Sequence, residues 1–365
     1  MARKKVLEIV EAFGGGVFTM MTDLTNGLCD EFDVVIAYSE RKQTPKNFEN
    51  LFDKRIKFIK VENFTRNINL KKDIKALKEL RKIIQEEQPD IIHLHSSKAG
   101  VLGRLAGSGK KYRMIYNPHG FSFLKKDDSK IKRTIYKLIE EIMVIINPKC
   151  TIVGCSKGEY EEAIKLNKNS VCINNGINVG DLENIVNKFE KHTLNFNNLK
   201  ICTVGRIGYQ KNPSLFNEIA EKLPDYDFVW IGDGELKNEL TATNISVLGW
   251  KKREEALEEL NKCDIFLLTS LWEGLPMTLI EAGYLGKLCI VSDVIGNRDV
   301  IKNGENGCVF KNVYDVKKIF ENLQENDYKK MSQQLKENIK EDYNTIIMVE
   351  KYKKQYRRKL WKKLE

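Results

Sequence analysis

E-G-L-P-M-T-L-I-E, residues 273–281, sets two glutamates eight positions apart across a turn that runs into a helix. Pro276 suits the first helical turn, where a missing N–H costs nothing, and the helix is expected from Pro276 to about Gly286. At the turn and helix start, Gly274-Leu275-Pro276-Met277-Thr278, unpaired amides and the positive end of the helix dipole come together. That is a place for a phosphate, and Gly274 lets the backbone approach it closely. Glu281 lies roughly 7–8 Å further along the axis, at ~1.5 Å per residue. Its two acceptor oxygens fit the vicinal diol of a ribose attached to the phosphates. Glu273, ahead of the turn, would face the group on the other side of a diphosphate. The competing reading is an ordinary amphipathic helix with solvated glutamates.

Sixty residues upstream, positions 201–213 read I-C-T-V-G-R-I-G-Y-Q-K-N-P. An apolar strand ends in Gly205-Arg206, a loop follows, and Lys211-Asn212-Pro213 opens a helix. Two cations thus sit beyond the carboxyl end of a strand, where open α/β sheets bind ligands. Arg206 offers a planar fork for phosphate oxygens and Lys211 a mobile point charge.

Short apolar runs alternate with helical patterns along the chain, the pattern of βαβ units and parallel sheets. Strands are expected at 6–10, 33–38, 90–95, 113–117, 151–155 and 171–175. After a polar stretch at about 179–198 the pattern restarts, with strands at 200–204, 227–231, 246–250, 264–269, 288–292 and 308–310. The fold class is therefore α/β, with two doubly wound, Rossmann-like domains, 1–178 and 179–344, and a ligand cleft expected between them. At 365 residues the chain exceeds a comfortable single core. Eight cysteines are scattered without a C-x-x-C pair beside only four histidines, so no zinc cluster is expected and the thiols are read as reduced and cytosolic. No leader peptide fits the first residues, and no apolar run approaches the ~20 residues of a membrane span. A soluble, cytoplasmic protein is expected, or one held at a membrane surface.

The whole series of motifs resembles the retaining glycosyltransferases of family 4, which have the GT-B architecture. It comprises G-G-G at 14–16, H-L-H-S-S-K-A-G at 93–100, N-P-H-G at 117–120, G-C-S at 154–156, N-N-G-I-N at 174–178, I-G-D-G-E at 231–235 and L-G-W at 248–250, besides the G-R…K pair and E-x7-E. The resemblance implies transfer of a hexose or N-acetylhexosamine from a nucleotide sugar, UDP-linked, to a lipid-linked saccharide in capsule, exopolysaccharide or O-antigen assembly. It assigns Arg206, Lys211, Glu273 and His119 to catalysis, with His119 on the donor sugar. Gly16 and Gly205 join the 274–278 turn and Glu281 in holding the donor, while Gly15, His95 and Lys98 fall on the acceptor side. The closing helix, 345–365, is expected to return to the first domain.

No metal and no cofactor are expected, since Arg206, Lys211 and the helix start meet the charge of the leaving diphosphate. The one D-x-D string, Asp225-Tyr226-Asp227, leads into the amino end of a strand, away from the ligand edge. Two alternatives stand beside this reading. Gly14-Gly15-Gly16 with Glu40 also suits an NAD-dependent or sugar-nucleotide-modifying enzyme, although Thr19 replaces the third glycine of that fingerprint. A non-catalytic membrane-surface module is the other.

Charge is uneven. Residues 1–178 carry 32 Lys/Arg against 22 Asp/Glu, residues 179–340 carry 21 against 25, and residues 341–365 carry 8 against 4. With the tail returned, the first lobe would be net +14 and the second −4. A basic lobe of this kind suits an anionic membrane surface. No nucleic-acid-binding module is present.

Overall fold

The computed structural model describes residues 3–41, 44–65, 68–109 and 112–358. It divides into two compact units. The first takes the described residues up to Leu124, Asp128–Gly176 and those from Thr345 on; the second takes Lys125–Asp127 and Ile177–Asn344.

The first unit runs β1 (Lys4–Phe13), α1 (Gly15–Leu28), β2 (Phe32–Glu40), β3 (Lys57–Lys60), α2 (Leu70–Glu87), β4 (Ile91–His95), α3 (Ser97–Ala106), β5 (Arg113–Asn117), α4 (Lys130–Ile146), β6 (Thr151–Gly154), α5 (Lys157–Leu166) and β7 (Ser170–Cys172). The second runs α6 (Val179–Val186), β8 (Lys200–Val204), α7 (Pro213–Lys222), β9 (Asp227–Ile231), β10 (Ile245–Val247), α8 (Arg253–Asn261), β11 (Ile265–Leu268), α9 (Met277–Tyr284), β12 (Leu288–Ser292), α10 (Asn297–Val300), β13 (Cys308–Phe310), α11 (Val313–Asn322) and α12 (Glu325–Asp342). Helix α13 (Thr345–Arg357) returns to the first unit.

Both sheets are parallel throughout, in the orders β3-β2-β1-β4-β5-β6-β7 and β10-β9-β8-β11-β12-β13. Strands covered on both faces must be apolar on both, which is why runs such as Leu288–Ser292 are buried at every position. In β1 the alternation divides two cores. Val6 and Val10 join α1 and α13, whereas Leu7 and Ile9 join α2 and α3. Each chain path reverses direction once, between β1 and β4 in the first sheet and between β8 and β11 in the second. At such a switch point two loops splay apart above the carboxyl ends of neighbouring strands and leave a crevice. G-G-G and H-S-S-K follow the strands of the first point, and G-R…K and E-x7-E those of the second.

Four features differ from expectation. The helix after the E-G-L-P turn is shorter, Met277–Tyr284, with Pro276 at the N-cap in extended backbone (ψ 112°) and Gly286 leaving it at φ +75°. Strand β3 gives no apolar run in the sequence, because K-F-I-K is only four residues long and carries a lysine at each end, as a short protected edge does. Inside the polar stretch, α6 forms because Asn178 caps it and Leu182 and Ile185 are buried. The closing helix ends at Arg357, and residues 359–365 of the expected span lie outside the described residues.

Helix α13 lies so close to α1 that a Cβ on Gly27 would stand 2.7 Å from Val349 Cγ2. Gly27→Leu should therefore overpack this seam and cost about 1–3 kcal/mol. Denaturant melts should show the loss, and proteolysis should release the tail first; a variant as stable as wild type would contradict the close packing.

Candidate functional site

In the second unit the loop after β8 is laid on the loop after β9, backbone against backbone. Gly205 N–H donates to Ile231 O at 3.0 Å, and the indole of Trp230 donates to Gly205 O at 2.8 Å. A Cβ on Gly232 would stand 2.0 Å from Gly205 O, and one on Gly234 would stand 2.1 Å from Ile207 O. Only glycine allows this approach, and Gly232 is also at φ +147°. Asp227, by contrast, opens β9 at its amino end.

The same loop is joined to the loop after β11. Leu271 N–H donates to Gln210 O at 2.8 Å, and the Gln210 side chain donates to Trp272 O at 3.0 Å and to Glu273 Oε2 at 3.2 Å. Lys211 Nζ and Ser270 Oγ both donate to Glu273 Oε1, each at 2.7 Å. Asn212, left-handed at φ +53°, then turns the chain into α7. Gly274 lies under Gly296, where a Cβ would come within 2.6 Å of Gly274 O. Glu273, Lys211 and the start of α9 are thereby brought to one edge.

Arg206 forks onto Glu235, with Nε and Nη2 at 2.9 and 2.8 Å from Oε2. The two ion pairs differ in kind. Arg206 and Glu235 are 43% and 53% exposed, so their pair is worth about 1 kcal/mol or less and parts readily for a competing anion. Lys211 and Glu273 are 17% and 8% exposed, and a buried carboxylate deprived of its cation is strongly destabilising. Glu281 faces Arg253, whose Nε and Nη2 lie 3.2 and 3.1 Å from Oε1, while Arg253 Nη1 reaches Asp181 at 3.0 Å. Burial raises the Glu281 carboxyl above its usual range, and Arg253 opposes this. Both of these bonds fall on Oε1, and none among the described residues on Oε2.

In the first unit Gly14 caps α1 in extended backbone, and Gly15 follows at φ +56° with open space beside its Cα. Gly16 is the next residue of that helix. His119 sits beyond β5 at φ +52°, strained for a residue with a Cβ. Glu159, buried on α5, holds this turn by accepting from Gly120 N–H at 2.5 Å and Cys155 N–H at 2.7 Å. His119 Nε2 meets His95 Nδ1 at 2.9 Å, and His95 Nε2 meets Glu8 Oε2 at 2.7 Å. Lys98 is engaged elsewhere, on Asp73 of α2 at 2.7 Å and Thr65 at 3.3 Å.

The ligand atoms of Glu8, His93 and His95 lie within 4.8 Å of one another. Their closest approaches, 2.7 Å for Glu8–His95 and 3.0 Å for Glu8–His93, are hydrogen-bond lengths. Ligands about 2.0–2.1 Å from a tetrahedral zinc stand roughly 3.3 Å apart. The cluster is a hydrogen-bonded network.

Sequence reading missed Glu8, Gln210, Glu235, Arg253, Ser270 and Glu159. Glu8 carried a signal, a lone charge inside the apolar run V-L-E-I-V. Arg253, within K-K-R-E-E, carried none.

Residues 14–181 match the family described as Glycosyltransferase Family 4, and residues 184–342 match Glycosyl transferases group 1. The chain is 33% identical over 309 residues to an Escherichia coli UDP-Gal:alpha-D-GlcNAc-diphosphoundecaprenol alpha-1,3-galactosyltransferase, covering 76% of each. It is 26% identical over 354 residues to the Campylobacter jejuni N,N'-diacetylbacillosaminyl-diphospho-undecaprenol alpha-1,3-N-acetylgalactosaminyltransferase, covering 90% of this chain and 91% of that one. Among solved structures, Anabaena HepE in complex with UDP and glucose aligns with TM-score 0.75 at 14% identity over 96% of this chain and 99% of that one. That likeness carries the GT-B fold. The chain belongs to the family 4, group 1 glycosyltransferases, a retaining family.

Proposed function

We propose that this glycosyltransferase moves a hexose or N-acetylhexosamine from a UDP-linked donor to a saccharide carried on a polyprenyl diphosphate, in capsule, exopolysaccharide or O-antigen assembly. Family membership removes the NAD-dependent alternative, and a non-catalytic module would have no use for the ion-paired machinery of the second unit. The observation that carries the reading is the second switch point, where Arg206, Lys211, Glu273 and the first turn of α9 share one edge. Their positive charge suits the diphosphate that accumulates charge as the anomeric bond breaks. In this reading the phosphate replaces Glu235 on Arg206, and Lys211 keeps Glu273 while reaching the diphosphate. The unpartnered Oε2 of Glu281 takes the ribose diol. Gly15, Gly16 and Lys98 remain assigned to the first domain's part in binding and His119 to the transferred sugar, while His95, fully buried with both ring nitrogens engaged by Glu8 and His119, reaches no acceptor directly. No divalent ion is needed. The undecaprenyl diphosphate acceptors named for the E. coli and C. jejuni relatives support the acceptor class.

The same chemistry suggests a place at the inner face of the cell membrane. Among the described residues no helix is long and apolar enough to cross a bilayer. Helix α4, however, buries only Glu140 and Met143, with Glu140 accepting from Arg104 at 2.6 Å and Tyr116 at 2.8 Å. Its opposite side exposes Ile131, Ile135, Leu138, Ile142 and Ile145 in one stripe, flanked by exposed Lys130, Lys132 and Lys137. An apolar stripe edged by lysines fits the headgroup boundary of an anionic bilayer. Arg133 turns inward instead, donating to Phe123 O at 2.9 Å.

Purified protein should release UDP from one UDP-hexose or UDP-N-acetylhexosamine only when a polyprenyl-diphosphate-linked sugar is supplied. Release from no nucleotide sugar in such a panel would refute the reading. Arg206→Ala and Lys211→Ala should each lower kcat by roughly 10²–10³; activity within threefold of wild type in both would remove them from the leaving-group site.

Calorimetry tests the ribose role. Glu281→Ala should weaken UDP binding by about tenfold or more. Arg253→Ala leaves a buried carboxylate whose protonation burial already favours, so its deficit should be larger at pH 6 than at pH 8. Unchanged affinity in Glu281→Ala would exclude the ribose contact.

Phosphatidylglycerol vesicles should sediment the protein at low salt, and ~0.5 M salt should weaken the association. Ile135→Asp with Ile142→Asp should abolish it. Equal binding to neutral vesicles, or binding by this variant at wild-type strength, would contradict the stripe.

A further inference from the structure

Beneath His119 the first unit buries a chain of polar groups that the reading so far leaves unused. Glu8, His93, His95 and Asn117 are each fully buried, at the switch point of β1, β4 and β5. Glu8 Oε2 faces His95 Nε2 at 2.7 Å and His93 Nδ1 at 3.0 Å, and Glu8 Oε1 accepts from Tyr356 of α13 at 3.0 Å. His93 Nε2 meets Asn117 Oδ1 at 2.8 Å, and the Asn117 amide donates to Tyr352 at 2.7 Å. Two histidines of β4 and the returning helix thus converge on one carboxylate of β1.

The proton positions follow by elimination. Burial works to raise the Glu8 carboxyl, but the electrostatic and hydrogen-bonding effects of His93 and His95 outweigh it and hold the group far below the usual range. It is an acceptor only. His95 Nε2, facing that carboxylate, must carry hydrogen. Burial and then His93 push His95 down to about 4, against the pull of Glu8, so at neutral pH it has one N–H and its Nδ1 is a lone pair. His119 Nε2, 2.9 Å from that lone pair, must then be the donor. Burial, then His95 and His93, hold His119 well below its ordinary value, so its ring is neutral too. Its Nδ1 is left as an acceptor, the ring's hydrogen bond to the described residues being made at Nε2.

We propose that Glu8 is a positioning residue for His119, acting through His95: it fixes both rings as Nε2–H tautomers and leaves His119 Nδ1 to accept a hydrogen bond from a hydroxyl of the transferred sugar. This rests on the assignment of His119 to that sugar. Tyr356 and Tyr352, one turn apart on α13, hold the carboxylate and Asn117 in place, which gives the returning helix a part in the site. A carboxylate that sets a histidine tautomer is a general device of catalytic and metal sites.

Long-range ¹⁵N–¹H correlation spectra read the tautomers directly, and four histidines in the chain make assignment by single substitution practical. Wild-type His119 should show a protonated Nε2 and a bare Nδ1. Glu8→Leu removes the acceptor, so the His119 tautomers should mix, and kcat should fall about tenfold to a hundredfold while the donor KM holds. A bare Nε2 in the wild-type spectrum overturns the proposal even if Glu8→Leu does not fold. A folded Glu8→Leu protein with unchanged tautomer and unchanged kcat overturns it as well. His119→Ala separates the underlying assignment: full activity in that variant would remove His119 from the sugar and leave the tautomer result standing.

Discussion

The contact on which this edge of the second unit depends is the ammonium of Lys211 on the carboxylate of Glu273, 2.7 Å apart and largely withdrawn from water. The two residues belong to loops after different strands, β8 and β11, which separate at the switch point. In water their attraction would be slight; in a partly buried site it is several times stronger. Ser270 and Gln210 take further places on the same carboxylate, so its charge is met from three sides. That fixes where the turn 273–276 begins, and so where α9 points its first amides. Arg206 is under no such constraint, and its exposed pairing with Glu235 leaves it ready to exchange one anion for another.

The first unit shows the same logic with histidines. One carboxylate, Glu8, lies where apolar side chains precede and follow it on β1, and it is tolerable there only because two histidines and a tyrosine meet it. The strained turn at His119 is held in turn by Glu159. Of the five non-glycine residues at positive φ among those described, Ser96, His119 and Asn212 each lie in a motif loop at the end of a strand. Strain gathered at motif loops is a sign of function that no periodicity reveals.

The strands read well from sequence because in a buried parallel sheet every position is apolar, and an uninterrupted run such as K-I-C-T-V or D-F-V-W-I stands out. Helix α9 read less well. Its proline suits a first helical turn by type, whereas Pro276 keeps an extended ψ and the helix starts one residue later. The charged residues of the two motifs are legible as residue types with spacing, but their partners are not. Arg253 meets Glu281 from 28 positions away and Glu235 meets Arg206 from 29, distances over which sequence patterns carry no register. Tyr356 reaches Glu8 across 348 positions, a contact that exists only because α13 returns.

The central claim is that the protein's own cations and a helix start carry the charge of the departing diphosphate. The most direct measurement is the initial rate of glycosyl transfer with excess EDTA against the rate with added Mn²⁺. Equal rates are the predicted result. Loss of transfer on chelation, restored by Mn²⁺, would contradict the account.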